Sequence, residues 1–438
     1  MYNNTMVRVR FAPSPTGEMH IGNLRTAAFN WIFAKQQNGK FFVRIEDTDQ
    51  SRYSKEHEEK IFKILKEFNL DFDITEDNIG IENGCLKQSL RSDVYKKYAK
   101  TLYNNGFCFY CSCVEINDCN CEEKKLSSGV LRFKVPQNEI ISFNDLILGE
   151  SSINSTNLEN FALLRTDGSP TYMLSVVIDD IETKISHIIR GVDHKTNTFK
   201  QILLYKALNM SIPIFAHLPM IIGDDNKKLS KRKGNASVEY FLNKGYVADA
   251  IFNKLLRLGW GKDNYEIISK NEIIKIFDFQ DVKKSPAKFD EKKLNSFSSY
   301  YLKHNNYSIK ACDFIKEHYS EYENNILIKG YEEIAKKSST YVEMYEHIKF
   351  IKDLTLNDNI SNDINSGFTN TLKVYFSELI ELKKSKAVSK DIILQFTKEF
   401  VLNNNLNFKD FCAEIRFFLT KSNNSIDIFI ILSIININ

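Results

Sequence analysis

The N-terminal part of the chain alternates between short apolar runs and longer stretches in which apolar residues recur at helical spacing. The apolar runs Val7–Phe11 and Phe41–Ile45 predict two strands, and Leu24–Gln36 predicts a helix between them. A charged stretch at 54–68 predicts a second, amphipathic helix. Strands that alternate with helices are typical of a parallel sheet covered on both faces. We therefore predict the opening of a doubly wound, Rossmann-like α/β domain.

This alternation is interrupted and later resumes. The intervening segment contains a group of cysteines and the strand-like stretches Val130–Val135 and Ile140–Phe143, which predict an inserted α+β domain. The α/β pattern returns with the apolar segments Tyr172–Ile178 and Ile185–Ile189 and with a helix at Phe199–Leu208. The α/β domain is therefore expected in two halves, at 1–71 and 165–237, separated by an insertion at 72–164.

Helical spacing dominates from Val238 onward, so the C-terminal part is predicted to be all-helical, with one domain at 238–305 and another at 306–438. The tail Ile426–Asn438 is strongly apolar, but about 13 residues are too few to span a bilayer. We expect a buried terminal helix or strand there.

Length and net charge are compatible with a multidomain protein that binds a polyanion through local basic patches. The 438 residues suggest about three domains, and the net charge of only +3 means that such a partner would bind to local basic patches. The N-terminus lacks a basic segment followed by an apolar one, as a signal peptide would have. We therefore expect a cytoplasmic, monomeric protein without membrane contact, whose eight cysteines are reduced.

A first motif lies between the first predicted strand and helix. Pro and Gly residues in the run Arg10–Gly17 precede His20 and Gly22, and helical sequence follows. A strand, a Gly-containing turn and a helix start can hold phosphates against unpaired backbone N–H groups. A lone His-x-Gly is a weak signal, and an ordinary turn histidine is the alternative.

A second motif lies near the middle of the chain. The sequence Lys228-Leu229-Ser230-Lys231-Arg232 follows an apolar strand-like segment, Leu218–Ile222, and precedes helical sequence. Its cations suit the charge that develops on a leaving pyrophosphate, whereas an isolated basic run is usually a solvated surface. The two motifs together predict nucleotide chemistry.

The pair resembles the HIGH and KMSKS signatures of class I aminoacyl-tRNA synthetases, and the surrounding sequence is similar to the bacterial glutamyl-tRNA synthetases. The similarity extends collinearly from about residue 7 to residue 302 and thins beyond it. Besides the two motifs, it rests on three further stretches: Arg44-Ile45-Glu46-Asp47-Thr48-Asp49, Arg165-Thr166-Asp167-Gly168-Ser169-Pro170-Thr171-Tyr172 and Ile189-Arg190-Gly191-Val192-Asp193-His194.

This resemblance implies ligation of L-glutamate to tRNA(Glu) in two steps, through a glutamyl-adenylate made from ATP with Mg²⁺ only when tRNA is bound. It makes 72–164 the acceptor-end-binding domain, 238–305 the stem-contact domain and 306–438 the anticodon-binding region. His20, Lys228 and Lys231 are the implied catalytic residues. The implied ATP-binding residues are His20, Gly22, Lys228, Leu229 and Lys231.

The implied glutamate-binding residues are Arg10, Ala12, Ser14, Glu46, Tyr172 and Arg190. Glutamate brings two carboxylates and an ammonium, so its site needs arginine and an acidic group. Arg10 and Arg190 would meet carboxylates, Glu46 the ammonium and Tyr172 a carboxylate oxygen; strand-end salt bridges and surface charge are the alternatives. The chain departs from the family at Val192, where an acidic residue is usual, although His194 remains.

Four cysteines of the insertion, Cys111, Cys113, Cys119 and Cys121, form a C-x-C…C-x-C set. Four thiols this close in a reducing compartment suggest one structural, tetrahedral Zn²⁺ site. The resemblance supports zinc here but with a longer middle loop. The alternative is a strand pair with accidental cysteines, and Cys108 shows that cysteine is common in this segment.

Contacts with tRNA are expected in the C-terminal half. A weak alignment on Thr340 and Glu343 places Lys337 where the family reads the third anticodon base. Whether tRNA(Gln) is also charged stays open. A run of lysines suits phosphates or is a solvated face: Lys283, Lys284, Lys288, Lys292 and Lys293.

Two other functions compete with the synthetase. One is a shorter glutamylating relative that modifies tRNA, against which the long C-terminal part argues. The other is a catalytically silent paralogue that binds tRNA, against which the retention of Arg10, His20, Arg190 and Lys231 argues.

Overall fold

The computed structural model describes residues 6–75, 80–113, 121–223, 229, 236–261, 266–319, 324–349, 370–385, 388–420 and 425–435. The chain forms two compact units. The first comprises 1–240 and 252–290, and the second comprises 241–251 and 291–438.

The first unit contains the strands of the described chain. They are β1 (Arg8–Phe11), β2 (Lys40–Ile45), β3 (Ile81–Glu82), β4 (Cys85–Lys87), β5 (Cys108–Cys111), β6 (Val130–Phe133), β7 (Ile140–Asp145), β8 (Gly149–Asn154), β9 (Phe161–Leu164), β10 (His187–Gly191), β11 (Ile214–Leu218), β12 (Ile221–Ile222) and β13 (Ala287–Lys288).

The helices, in chain order, continue into the second unit. They are α1 (Ile21–Gln36), α2 (Lys55–Glu67), α3 (Ser92–Asn104), α4 (Cys121–Lys124), α5 (Tyr172–Glu182), α6 (Lys195–Ala207), α7 (Val238–Asn243), α8 (Ala248–Arg257), α9 (Lys270–Ile276), α10 (Glu291–His304), α11 (Ser308–His318), α12 (Asn324–Lys336), α13 (Tyr341–Ile348), α14 (Asn370–Ser385), α15 (Lys390–Asn403), α16 (Phe408–Thr420) and α17 (Ile428–Ile434).

The central sheet is parallel, as the alternation of strands and helices predicts. Strand β2 pairs in parallel with β1 on one side and β4 on the other, and β10 pairs in parallel with β11. The Ser186 N–H donates to the Arg8 carbonyl at 2.9 Å, which sets β10 beside β1. The predicted fold class is confirmed. The strands that follow β1 are added on one side of it (β2, β4) and later strands on the other (β10, β11), and α/β folds bind ligands at such a change of strand order.

The predicted apolar segments after the insertion take different structures. Tyr172–Ile178 lies in helix α5, whereas Ile185–Ile189 leads into strand β10. The predicted helix at Phe199–Leu208 is the second part of α6. Apolar runs of this length fit both a buried helix and a buried strand, so periodicity alone does not separate them.

The segment 72–164 contributes to two sheets. Strands β5, β6 and β9 form an antiparallel sheet of their own. The β7–β8 hairpin instead extends the parallel sheet, because Asp145 at the end of β7 pairs with Phe215 of β11. This pairing brings the Asp145 side chain to the inner strands of the first unit.

In the second unit the described elements from α10 onward are helices, as predicted. The expected buried terminal element is confirmed as helix α17, whose apolar residues are nearly all buried. Lys383 closes its C-terminal end by donating to the carbonyls of Leu432 (2.7 Å) and Ile435 (2.6 Å). Burial lowers the pKa of Lys383 to about 8. None of the helices within the described ranges is long and apolar enough to cross a membrane.

Candidate active site

A cleft of about 700 Å³ opens at the carboxyl ends of β1, β2, β10 and β11. All the described residues that the sequence assigned to ATP or glutamate line it: Arg10, Ala12, Ser14, His20, Gly22, Glu46, Tyr172, Arg190 and Leu229. The cleft therefore brings together residues from both halves of the α/β domain, 1–71 and 165–237. Val192 also lines it.

His20 caps helix α1 and has a defined tautomer. Its Nδ1 accepts a hydrogen bond from the Gly22 N–H at 2.9 Å, so Nε2 carries the proton and donates to the Leu229 carbonyl at 2.9 Å. A Cβ atom at Gly22 would lie 3.1 Å from that Nδ1, closer than side chains normally pack. Glycine at this position therefore lets the imidazole sit against the helix start with its N–H directed into the cleft.

The two signature motifs are joined through the backbone. The Ile21 N–H donates to the Ala236 carbonyl at 2.9 Å, and the Val238 N–H donates to the Met19 carbonyl at 2.8 Å. Leu229 lies beside β12, where its N–H donates to the Ile221 carbonyl at 3.1 Å. Lys228 and Lys231 lie outside the described residues.

Arg190, at the end of β10, is a buried cation among neutral groups. Its Nη2 donates to Thr198 Oγ1 at 2.7 Å and to Gln201 Oε1 at 2.8 Å. Its Nε faces His217, and its Nη1 lies 3.5 Å from the Tyr172 hydroxyl. No carboxylate among the described residues forms an ion pair with it, and burial lowers its pKa. The Nη1 edge is the part of the guanidinium that borders the cleft.

Arg10, by contrast, is already paired. Its Nε donates to Asp180 Oδ1 at 3.0 Å, and Arg44 donates to the same oxygen at 2.6 Å. Arg44 also donates to Glu46 at 3.1 Å. Burial raises the pKa of Glu46, and the positive charges of Arg44 and Arg10 oppose that shift.

The carboxylates that orient these arginines were not identified from the sequence. Asp179 and Asp180 are adjacent and fully buried on α5, and Asp179 accepts from Arg91 (2.9 Å), Gln88 (2.7 Å) and Tyr95 (3.0 Å). Two adjacent acids within an otherwise apolar helix are a signal that could have found them, because buried carboxylates are normally paired.

Tyr172 and His194 form the remaining polar wall. The Tyr172 hydroxyl lies 3.4 Å from His194 Nδ1. Burial raises the pKa of Tyr172, and burial together with Arg190 lowers the pKa of His194. Both groups are therefore neutral near pH 7, so the charged residues in the lining are the arginines, Glu46 and Asp193.

The cysteine cluster is separate from this cleft. The sulfur atoms of Cys111, Cys113 and Cys121 lie within 4.8 Å of one another, and those of Cys113 and Cys121 are 3.2 Å apart. Cys119 lies outside the described residues. Cys108 packs in a different apolar cluster, where burial raises its pKa to about 12.

Gly129 lets two chain segments meet beside these sulfurs. It has φ +127°, and a Cβ there would lie 2.6 Å from the Cys111 carbonyl oxygen. A larger residue would therefore push β5 away from its neighbour at the cluster.

The candidate tRNA-binding lysines differ in their surroundings. Lys337 donates to the Ser425 carbonyl at 2.7 Å, at the edge of the second unit's core. The lysines of the basic run are exposed: Lys283, Lys284, Lys288, Lys292 and Lys293.

Comparison with known proteins supports one family. The model of the family described as "tRNA synthetases class I (E and Q), catalytic domain" matches residues 6–118 and 115–296. A glutamate–tRNA ligase of Hydrogenobaculum sp. is 40% identical, with 81% of each chain covered. Another, from Sulfurihydrogenibium sp., is 36% identical and covers 99% of this chain and 97% of its own.

A solved structure supports the same family over the whole length. The glutamate tRNA ligase of Elizabethkingia meningosepticum, crystallised in complex with its amino acid, superposes with a TM-score of 0.79 at 28% identity, covering 98% of this chain and 96% of that one. With the catalytic-domain match and these relatives, the chain belongs to the glutamate–tRNA ligases of the class I aminoacyl-tRNA synthetase family.

Proposed function

We propose that this protein ligates L-glutamate to tRNA(Glu), first converting glutamate and ATP to glutamyl-adenylate and pyrophosphate and then transferring the glutamyl group to the tRNA. The observation that supports it best is the cleft itself: two arginines, Glu46 and the capped start of α1 line one cavity of about 700 Å³. That volume suits a small ligand next to a nucleotide. The names of the relatives agree with this activity.

The acidic amino acid is recognised mainly by charge. Arg190 meets a carboxylate with its Nη1 edge, and Arg10 meets one with the part of its guanidinium that Asp180 leaves available. Glu46 binds the ammonium, which favours its ionised form and opposes the effect of burial. Tyr172 donates to a carboxylate oxygen, and Ala12 and Ser14 form the neighbouring wall.

ATP is held by the two signature motifs. The His20 Nε2–H group, which now donates to the Leu229 carbonyl, turns to a phosphate oxygen when the nucleotide enters. Gly22 and Leu229 flank the adenosine, while Lys228 and Lys231 neutralise the phosphates. Mg²⁺ would enter with ATP and would supply further positive charge for the leaving pyrophosphate.

The cysteine cluster is proposed as a structural zinc site. Cys111, Cys113 and Cys121 already place three sulfur atoms within 4.8 Å of one another, and Cys119 follows closely enough in sequence to supply a fourth. Four thiolates leave no open coordination position, so the ion would stiffen the insertion rather than take part in the reaction.

Metal analysis tests the zinc site. We expect about one equivalent of zinc per chain of purified, reduced protein, and the ion should be lost at low pH because the ligands must be thiolates. Cys121→Ser should release most of the zinc, whereas Cys412→Ser, which changes a cysteine on α16, should retain it. Less than about a tenth of an equivalent in the wild type, with unaltered thiols, would mean that these cysteines only pack.

The tRNA contacts are proposed on the second unit. The Lys337 ammonium group has three N–H donors, and one of them donates to the Ser425 carbonyl. The other two can donate to a base of the anticodon. We propose that the protein acts as a monomer in the cytoplasm. Charging of purified tRNA(Gln) beside tRNA(Glu) measures whether the second tRNA is also a substrate.

Amino-acid-dependent exchange between ATP and pyrophosphate, measured with and without tRNA, tests the activity. The proposal expects exchange with glutamate when tRNA(Glu) is present. Exchange with glutamine but not glutamate would overturn it. Exchange that needs no tRNA would favour the tRNA-modifying relative, and none under any condition would favour the silent paralogue.

A further inference from the structure

A buried chain of polar groups lies behind Arg190, on the side away from the cleft. Asp145 Oδ2 lies 2.6 Å from His217 Nδ1, and the Asp145 carboxylate also accepts from the His217 backbone N–H. On the other side of the ring, Arg190 Nε lies 3.3 Å from His217 Nε2, and Thr198 Oγ1 lies 3.1 Å from it. Both His217 and Asp145 are buried.

These contacts allow only one protonation state of the ring. Asp145 can only accept, so His217 Nδ1 must carry a proton. The Arg190 guanidinium can only donate, so Nε2 must be the unprotonated acceptor. Thr198 accepts from Arg190 and faces the same Nε2 atom, so the Arg190 and Thr198 donors share the single lone pair of that nitrogen. Burial lowers the pKa of His217, although the bond to Asp145 opposes this, and the ring is neutral near pH 7.

We propose that His217, held in this tautomer by Asp145, is a positioning residue that fixes the Arg190 guanidinium for the substrate carboxylate. This inference rests on the proposed function, because it assigns Arg190 to glutamate.

A neutral acceptor has an advantage at this place. A carboxylate in direct contact with Arg190 would neutralise it and compete with the substrate, as Asp180 does for Arg10. The imidazole of His217 lies between the Asp145 carboxylate and Arg190, so it separates the two charges. Its Nε2 still accepts the hydrogen bond from Arg190 Nε. Arg190 is thus stabilised as a buried cation without losing its Nη1 edge to a protein anion.

Two amide substitutions separate positioning from packing. In His217→Gln the side-chain oxygen can reach the former position of Nε2 and accept from Arg190, but the contact with Asp145 is lost. In His217→Asn the shorter amide can reach Asp145 but not Arg190. Both variants therefore carry an amide, but His217→Gln keeps the contact with Arg190 and His217→Asn keeps the contact with Asp145.

The measurements are the KM for glutamate, the KM for ATP and kcat in tRNA(Glu) aminoacylation. We expect His217→Asn to raise the glutamate KM by roughly 10- to 100-fold, since it leaves a donor of a charged group without its partner, and to change the other two parameters little. His217→Gln should stay within about threefold of the wild type in all three. An equal effect of both variants, or a loss of kcat with unchanged glutamate KM, would overturn the inference.

A spectroscopic measurement does not depend on turnover. In protein labelled with ¹⁵N-histidine, the ring signals that disappear in His217→Gln should be those of an Nδ1-protonated neutral tautomer. This difference assigns them to His217, because His304 and His318 also place Nδ1 2.9 Å from a backbone carbonyl. If the wild type shows that tautomer but does not bind or use glutamate, the proposed function fails and this inference fails with it. If glutamate is used but His217 is protonated at Nε2, only the inference fails.

Discussion

Replacing Arg190 with alanine should lower kcat/KM for glutamate by roughly 10²- to 10³-fold, chiefly through a higher KM, and leave the KM for ATP nearly unchanged. The reason is that Arg190 lines the cleft, contacts neutral groups and forms no ion pair with a carboxylate among the described residues. Its removal leaves a substrate carboxylate desolvated without a partner, whereas the protein loses bonds only to neutral groups. Steady-state aminoacylation at varied glutamate concentration measures this effect.

The matched control is Lys35→Ala, which removes an exposed cation at the far end of α1. Its ion pair with Asp71 is exposed, so aminoacylation should stay within about twofold of the wild type. A glutamate KM for Arg190→Ala that also stays within twofold would exclude Arg190 from the substrate site and leave it as a structural strand-end residue.

Lys231→Ala should lower kcat by roughly 10²- to 10³-fold with little change in the glutamate KM. This pattern is expected for a cation that acts on the transition state, where charge develops on the leaving pyrophosphate. Leu229, two residues earlier in the sequence, lines the cleft, and its carbonyl accepts a hydrogen bond from His20 Nε2. Single-turnover adenylate formation with tRNA present measures the step itself.

Lys233→Ala is the control for charge alone, because it removes a cation from the same basic run. It should leave kcat within a few-fold of the wild type. If Lys231→Ala and Lys233→Ala behave alike, the run acts as a general positive field.

The strands, helices and signature motifs could be predicted from the sequence because their information is local. Apolar runs predict strands, and His20 stands directly before a helix whose second residue is Gly22. The pairing of β7 with β11 could not be predicted, since Asp145 and Phe215 are distant in sequence and only the folded chain brings them together. The helical state of Tyr172–Ile178 was equally open, because a run that short fits either structure.

At the site, the sequence predicts the residues that face the substrate, but it does not predict the hydrogen-bond partners that position them. Arg10 and Arg190 both follow an apolar strand-like segment in the sequence. In the structure Arg10 forms an ion pair with Asp180, whereas Arg190 donates to His217 and Thr198. That difference depends on partners that come from other strands and helices. Whether Arg10 or Arg190 offers its charge to a ligand is therefore visible only once those elements are packed.

The hydrogen bonds between the two signature motifs also determine when the cleft can form during synthesis of the chain. His20 and Leu229, which meet through a hydrogen bond, are 209 residues apart. At roughly 5 to 20 residues per second, a ribosome adds the second motif about 10 to 40 seconds after the first. During that interval the nascent chain exposes the start of α1 without its partner Ala236. The part of the cleft that both motifs build is therefore completed only late in synthesis, after the second motif has been added.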